Sequence, residues 1–193
     1  MRLSAALQRS MAEVIAETER LILRNWVPAD RNVYLATCNT EAVTAHLNGP
    51  ATQEDVDAAF ARIANSQRVH GFSFWAIERK ADGALLGYCG LRICDDLQRP
   101  VHGEIEIGWR LREDAWRQGY AHEAARAALE WAWANLDATR VVSFTVPANE
   151  PSWRLMERLG MCRRPDLDFA HPRFPADHPL SRHITYVIER PTS

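Results

Sequence analysis

The residues best suited to hold a charged ligand lie at positions 116–124, where a short polar turn leads into a long helix with apolar periodicity. The first backbone N–H groups of a helix lack intrahelical partners and its dipole is positive there, so a phosphate or pyrophosphate is a natural ligand. Gly119 lets the backbone approach such a ligand, and Ala121 keeps the next turn narrow. The sequence therefore predicts an anion-binding helix start near Tyr120, with an ordinary loop before a surface helix as the alternative.

The residues before this turn predict a half-buried strand, because polar and apolar side chains alternate over residues 104–111. Glu104 and Glu106 are two positions apart, so both carboxylates point to one face of that strand. The alternative to a chemical role is a solvated pair, or a salt bridge to Arg110 or Arg112.

Two other phosphate-binding motifs use the same strand, turn and helix, and neither is in the sequence. There is no G-x-G-x-x-G after a strand and no G-x-x-x-x-G-K-[ST] anywhere. Dinucleotide and nucleoside triphosphate sites are therefore disfavoured.

A second short helix, closed by a glycine, is predicted over residues 149–161. Together with the turn it resembles the GNAT superfamily of acetyl-CoA-dependent N-acetyltransferases, in particular the branch of ribosomal-protein N-terminal acetyltransferases. The family's phosphate loop has the form [Gln/Arg]-x-x-Gly-x-[Gly/Ala]. Gly119 and Ala121 match it, and Trp116 stands at the first position, where tryptophan is familiar in that branch. The resemblance extends over roughly residues 17–190.

This resemblance implies that acetyl-CoA is the co-substrate and that no metal takes part. The coenzyme diphosphate would lie on the amides of the turn. The family's sheet splays after the strand at 104–111, which would leave backbone groups for the pantetheine arm and one N–H for the thioester oxygen. The residues implied to contact the coenzyme are Trp109, Leu111, Arg117, Gln118, Gly119, Tyr120, Ala121, His122 and Asn149.

The resemblance also implies direct attack of a primary amine on the thioester in a ternary complex. No Cys and His stand recognisably as nucleophile and base, which agrees with direct transfer. An α-amino group has a pKa of about 8 and a lysine about 10.4, so a base matters more for a lysine acceptor. Glu106 is the first candidate base and Glu104 the second, with one acting through a water molecule.

The departing thiolate lacks the acid that many family members supply. They place a tyrosine seven positions after the asparagine of the second helix, and here that position is Met156. Either Ser152 protonates the sulfur, as is proposed in the ribosomal-protein branch, or the thiolate leaves unaided. Asn149, Ser152 and Met156 fall on one helix face. The alternative is that Asn149 is an N-cap and Ser152 only fills the first turn.

Length and composition favour a single globular domain. The 193 residues suffice to bury about 70% of the unfolded surface. The net charge of −2 is spread along the chain, which disfavours nucleic acid as a partner. The four cysteines form no C-x-x-C pair, so a zinc site and a disulfide scaffold are disfavoured and a reducing cytoplasm is the simplest interpretation. No apolar run of 18 residues suggests a membrane helix.

The order of predicted elements indicates an α/β (α+β) fold. A strand and two helices are followed by three strands, the long helix, a strand, the short helix and terminal strands. We expect a single domain over residues 17–193 with a mixed, mostly antiparallel sheet of six or seven strands, about four helices and a splay between the two central strands. Residues 1–16 are interpreted as an amphipathic lead-in, because their apolar residues have helical spacing, or as an over-extended start, since Met11 could itself begin the protein.

Residues 163–182 are predicted to form a long loop near the acceptor site, because four prolines interrupt any regular element. His171, His178 and His183 match no standard metal-ligand spacing and are interpreted as surface or acceptor-site residues. Trp131 and Trp133 lie two apart on the long helix and cannot share one face, which hints at a homodimer.

Three classes of function remain open at this stage. An N-acetyltransferase acting on a peptide N-terminus or a small-molecule amine is favoured. A catalytically idle acyl-CoA-binding or interaction module would keep the turn, and the missing tyrosine is compatible with it. A nucleotide-binding switch protein is the third alternative. The sequence does not identify the acceptor amine.

Overall fold

The computed structural model describes residues 12–192, which form a nine-stranded sheet with five helices. The strands are β1 (Val14–Glu17), β2 (Leu21–Arg24), β3 (Phe74–Arg79), β4 (Ala84–Ile93), β5 (Ile105–Leu111), β6 (Arg140–Thr145), β7 (Cys162–Arg163), β8 (Phe169–Ala170) and β9 (Arg182–Glu189). The helices are α1 (Asp30–Cys38), α2 (Glu41–Thr44), α3 (Gln53–His70), α4 (Tyr120–Asn135) and α5 (Glu150–Arg158), with 3-10 turns at Glu113–Ala115 and Pro165–Leu167.

Local sequence signals explain where the longer elements begin. Thr52 caps α3 by accepting a hydrogen bond from the N–H of Asp55, whose carboxylate accepts from the N–H of Thr52. Asp82 and Gly83 form the turn of the β3–β4 hairpin. The spacing of Thr52 and Asp55 predicts such a capping box, and an Asp-Gly pair between two apolar runs predicts such a hairpin, so the structure confirms both.

The sheet is mixed. Strands β1 to β5 form an antiparallel meander, β5 runs parallel to β6, and β9 pairs antiparallel with β6, β7 and β8. The predicted α/β class is confirmed. More strands are found than the six or seven predicted, because β1, β7 and β8 contain only two to four residues each, too few to show an alternating pattern.

The sheet opens between β5 and β6. Ile105 and Glu106 pair with Val141 and Val142, and the two strands continue beyond these pairs without further pairing in the described structure. We call the gap between residues 107–111 and 143–145 the opening, with Glu106 at its vertex. The predicted splay is therefore confirmed.

Different helices cover the two faces of the sheet. Ala124 and Ala128 of α4 pack in the main core with Ile107 and Leu111 of β5. Because side chains alternate along a strand, Glu106, Gly108 and Arg110 point to the opposite face. That face, called the Glu106 face below, is covered at β3 and β4 by α1 and α3.

Two predictions, one about residues 1–16 and one about residues 163–182, are corrected. Residues 1–11 of the lead-in lie outside the described residues, but Val14 and Ile15 belong to β1, because its backbone pairs with β2 and extends the sheet. The segment 163–182 is not free of regular structure. Arg163 ends β7, and β8 pairs with β9, since Phe169 and Ala170 lie between the prolines and keep their backbone hydrogen bonds.

Candidate active site

The edge of β5 that lines the opening carries backbone groups directed away from β4. Arg112 donates its backbone N–H to the carbonyl of Leu86 at 2.9 Å. Hydrogen-bonded and non-hydrogen-bonded residues alternate along an antiparallel pair, so the backbone groups of Trp109 and Leu111 point toward the opening. This is where the sequence analysis expects the pantetheine arm.

One of these groups is already occupied. The indole Nε1–H of Trp116 donates to the carbonyl of Leu111 at 2.8 Å. The tryptophan thus ties the end of β5 to the turn that follows it. The N–H of Leu111 and both backbone groups of Trp109 remain for a ligand. Leu111 can therefore contact the coenzyme through its N–H, while its carbonyl is taken by Trp116.

The turn before α4 presents six consecutive backbone N–H groups. Within residues 12–192, the amides from Arg117 to His122 donate to no protein acceptor, and the first helical bond runs from Glu123 to the carbonyl of Gly119 at 3.0 Å. Arg117 (φ 60°) and Gly119 (φ 83°) both adopt left-handed backbone conformations. The predicted residues of the turn, including Gln118, Tyr120 and Ala121, therefore lie together at the positive end of α4.

Arg20 braces this turn, a role that the sequence analysis missed. Its guanidinium donates from Nη1 to the carbonyl of Gln118 at 3.0 Å and pairs with Glu123 at 2.6 Å. The same guanidinium lies 4.5 Å from the ring centroid of Tyr120. Burial would raise the pKa of Glu123, but hydrogen bonds from Thr18 and Arg20 outweigh it and leave that pKa lowered. Nothing in the sequence pattern links position 20 to position 123.

Glu106 lies at the vertex of the opening, and its side chain is 9% exposed. Its Oε2 accepts a hydrogen bond from Nε of Arg92 at 2.6 Å, and the Cys94 thiol lies 3.8 Å from the same oxygen. Its Oε1 accepts no hydrogen bond from the described residues. The two side chains form a salt bridge, and the carboxylate raises the pKa of Arg92.

Glu104 is placed differently. It precedes β5, and its carboxylate accepts two hydrogen bonds from Arg140, at 3.0 and 2.5 Å, before the point where the sheet opens. The salt-bridge alternative therefore holds for both glutamates, but the predicted partners were wrong. Arg110 and Arg112 are drawn to Tyr34 and Asp114, because α1 and the 3-10 turn bring those groups closer.

The start of α5 carries the remaining predicted residues. Asn149 occupies the N-cap position, but its side chain makes no capping hydrogen bond. Ser152 is half-buried and Met156 is buried in the main core, as expected for one inward face of the helix. The N-cap alternative is thus correct for the backbone of Asn149 and leaves its side-chain amide without a capping role.

Aromatic and histidine side chains line the Glu106 face beyond β6. Phe144 contacts Phe169, whose ring stacks on His183 at a centroid distance of 5.2 Å. Arg99 lies over both phenylalanine rings and contacts His171 at 3.2 Å between Nη2 and Nε2. Burial, and next the positive charge of Arg99, lower the pKa of His171 to about 4. His171 of the predicted long segment and His183 of β9 therefore pack together with Arg99, Phe144 and Phe169.

Other chemistries receive no support from the described residues. No cluster of three or more His, Cys, Asp or Glu side chains could hold a metal ion in the described part of the chain. Burial raises the pKa of the Cys38, Cys89 and Cys94 thiols, so they are not thiolates at neutral pH. Among residues 12–192, no helix has the length and apolar character needed to cross a membrane.

A sheet that opens beside a helix start with unpaired amides is the arrangement expected for an acetyl-CoA-dependent N-acetyltransferase. The chain belongs to the Acetyltransferase (GNAT) domain family, whose sequence profile matches residues 20–162. Its sequence is similar to that of an "uncharacterized N-acetyltransferase", YoaA of Bacillus subtilis (strain 168). The two are 29% identical over 150 residues, which are 76% of this chain and 81% of YoaA.

Solved structures share the fold over nearly the whole chain. An acetyltransferase from Agrobacterium tumefaciens str. C58 is 25% identical with a TM-score of 0.73, covering 98% of this chain and 97% of that one. RimL, a ribosomal L7/L12 alpha-N-protein acetyltransferase solved with coenzyme A, has a TM-score of 0.72 at 16% identity, covering 92% of this chain and 98% of that one. The likeness to RimL is one of fold alone.

Proposed function

We propose that this protein transfers an acetyl group from acetyl-CoA to a primary amine by direct attack in a ternary complex. The observation that carries the proposal is the row of six unpaired amides at residues 117–122, next to the open edge of β5. A diphosphate on those amides would direct an extended acyl chain along Trp109 and Leu111 toward the vertex. Family membership supports the same chemistry.

Backbone groups would do most of the work on the donor side. Arg117, exposed beside the turn, would add a charge-assisted contact to phosphate, and Asn149 would reach the coenzyme from α5. A β5 N–H facing the opening would stabilise the tetrahedral oxyanion. Removing one such donor costs about 2.7–4 kcal/mol of transition-state stabilisation, but side-chain substitution cannot delete a backbone donor.

Glu106 would be the general base. It lies where the strands part, and its Oε1 is available to accept a proton from the amine through a water molecule. The Nε–H of Arg92 donates to Oε2 of the same carboxylate and holds it in place. Glu104 is the second candidate. Its Oε1 accepts two hydrogen bonds from Arg140 before the opening, and this position makes it less suited to the role.

When the tetrahedral intermediate collapses, the carbon–sulfur bond breaks, the amide forms and the thiolate takes a proton. Ser152, half-buried on the inward face of α5, is the candidate acid, with unaided departure as the alternative. Substituting Ser152→Ala separates the two. Assisted departure predicts a fall in kcat of about tenfold, a 1.4 kcal/mol effect, and unaided departure predicts no change.

The acceptor is proposed to be a peptide α-amine or a small-molecule amine, with acetyl-CoA as the co-substrate and the cytoplasm as its place of action. The similarity of fold to RimL, an alpha-N-protein acetyltransferase, favours a peptide N-terminus as the first substrate class to test. We propose neither nucleic acid nor a membrane as a partner. The homodimer suggested by Trp131 and Trp133 stays a prediction, since both rings pack against the core of their own chain.

Two measurements test the proposal. Titration calorimetry should detect coenzyme A binding, and mixing acetyl-CoA with a panel of amines should release thiol at a rate that depends on the amine. Binding without turnover of any amine would favour the idle acyl-CoA-binding module. No affinity for coenzyme A, or tighter binding of ATP, would refute the proposal.

A further inference from the structure

The Glu106 face has a gap between two charged ends. Along β5, Glu106 and Arg110 are separated by Gly108, and the residues opposite them on β4 are Arg92 and Tyr88. Gly108 lies opposite another glycine, so neither strand places a side chain in the middle. The ring of Phe74 covers this gap, with Cε1 and Cζ 3.1 Å from where a Cβ of Gly108 would be.

The floor of this gap is aromatic and partly exposed. The rings of Phe74 and Tyr88 stack at a centroid distance of 5.1 Å, and both residues are half-buried. At one end stands the Arg92–Glu106 ion pair, and at the other the guanidinium of Arg110 lies 5.6 Å from the centroid of Tyr88. We call this gap with its aromatic floor the groove. It begins at the vertex, where the acceptor amine would meet the thioester in the proposed reaction.

Arg110 has no anionic partner of its own. Its Nη1 donates to the Tyr34 hydroxyl at 2.6 Å, but Nε is buried without a hydrogen-bond partner, and no carboxylate of residues 12–192 pairs with it. Arg24, the most buried arginine described, is paired with both Asp30 and Glu78. A half-buried cation without a counterion is costly, so an anion in the groove would be favoured.

We propose, resting on the acetyltransferase function above, that Arg110 binds a carboxylate of the acceptor. Arg110 lies four positions after Glu106, a spacing of about 13 Å along β5. With its amine at the vertex and its carboxylate on Arg110, the acceptor has to fit within this spacing, as an extended tripeptide of about 10 Å does. The acceptor class is a short peptide, or a similar molecule with an amine at one end and a carboxylate at the other. Its apolar part would lie over Phe74 and Tyr88.

The groove also disfavours polyamines. Arg92 and Arg110 carry two positive charges against the single negative charge of Glu106. A polycation in contact with this floor would place like charges together in a poorly solvated site. We therefore expect the protein to acetylate a peptide with a free carboxylate faster than it acetylates spermidine.

The test compares trialanine as the free acid with trialanine amide and with spermidine, using thiol release from acetyl-CoA. We expect kcat/KM for the acid to exceed that for the amide about tenfold. Arg110→Gln should reduce this ratio to near one, Arg110→Lys should keep part of it, and Arg31→Gln, which alters an ion pair with Asp57 outside the groove, should keep it whole. If Arg110→Gln does not fold, the wild-type ratio alone decides.

Several outcomes would overturn the inference. Equal rates for acid and amide, a ratio unchanged by Arg110→Gln, or a faster reaction with spermidine would each do so while leaving acetyl transfer intact. If none of the amines reacts, calorimetry of trialanine with the coenzyme A-loaded protein replaces turnover, and equal affinity for acid and amide, or no binding, overturns it. Loss of coenzyme A binding itself would instead refute the proposed function.

Discussion

The two halves of the candidate site are built from different materials. The donor half, residues 117–122 with the edge of β5, offers main-chain N–H groups whose positions are set by a helix start and a strand. The acceptor half, on the Glu106 face, offers side chains from β3, β4, β5 and α1. A main-chain site tolerates changes of side chain as long as the backbone keeps its path. A side-chain site can change its ligand with one substitution.

The largest effect is expected at the vertex. Substituting Glu106→Gln removes the proposed base and leaves Arg92 without its counterion, so kcat should fall about 100-fold while the KM for acetyl-CoA changes little. Steady-state thiol release with a saturating amine measures both constants.

Two further glutamates sharpen that result. Glu130→Gln, on the exposed side of α4, should leave kcat unchanged. If Glu104→Gln lowers kcat as strongly as Glu106→Gln does, the assignment of the general base to Glu106 is contradicted.

A smaller effect, of the opposite kind, is expected in the donor half. Arg20→Gln removes the hydrogen bond to the Gln118 carbonyl and the ion pair with Glu123, so the turn loses its brace. The KM for acetyl-CoA should rise about tenfold, equivalent to 1.4 kcal/mol, with kcat nearly unchanged. The matched control is Arg126→Gln, which removes an exposed ion pair with Glu130 on α4, the helix that also carries Glu123. A drop in kcat instead of a rise in KM would contradict the separation of the halves.

Trp116 joins the strand edge to the turn, so its substitution should have a moderate effect. Trp116→Phe keeps the ring but removes the donor to the Leu111 carbonyl, and should lower the free energy of unfolding by about 1 kcal/mol. Because the turn is then no longer tied to the end of β5, the KM for acetyl-CoA should also rise about threefold, a loss of roughly 0.7 kcal/mol. Urea unfolding and steady-state kinetics measure the two effects.

The control for this change is Trp133→Phe. Arg190 lies over the Trp133 ring, and the indole N–H of Trp133 donates to no acceptor among the described residues. An equal rise in KM in this variant would show that the effect does not come from the Leu111 carbonyl.

The smallest effect is expected at His171, which lies against Arg99 beside the rings of Phe144 and Phe169. Because the pKa of His171 is lowered to about 4, the folded protein binds fewer protons there than the unfolded chain between pH 6.5 and pH 4. The stability that this difference contributes is present above pH 6.5 and is lost as the pH falls toward 4. His171→Phe should therefore weaken the fall in unfolding free energy between pH 7 and pH 4.5, as measured by urea denaturation. An unchanged fall would mean that His171 is solvated.

The parts of the donor half that are contiguous in sequence were predictable. The strand at 105–111, the turn and the start of α4 are contiguous in sequence, so a polar-apolar alternation, one glycine and an apolar period were enough to predict them. The braces of the same turn were not predictable. Arg20 and Glu123 are 103 residues apart, and no local pattern reports such a contact.

The acceptor half was predicted only in part for the same reason. The catalytic role of the two glutamates stays a prediction. Their partners Arg92 and Arg140 come from neighbouring strands, whereas the sequence alone suggested arginines close by in sequence. The short strands β7 and β8 were missed because β9 supplies the hydrogen bonds that hold them.

The sequence by itself determined the order of the elements, the helix start with unpaired amides and the family to which the chain belongs, because each depends on residues close together along the chain. Only the tertiary structure decided that Glu106 stands at the vertex, that Trp116 occupies the Leu111 carbonyl, and that Arg110 lacks a counterion. Those facts depend on which strands become neighbours, and pairing between distant segments is set by packing of the whole sheet and not by any local pattern.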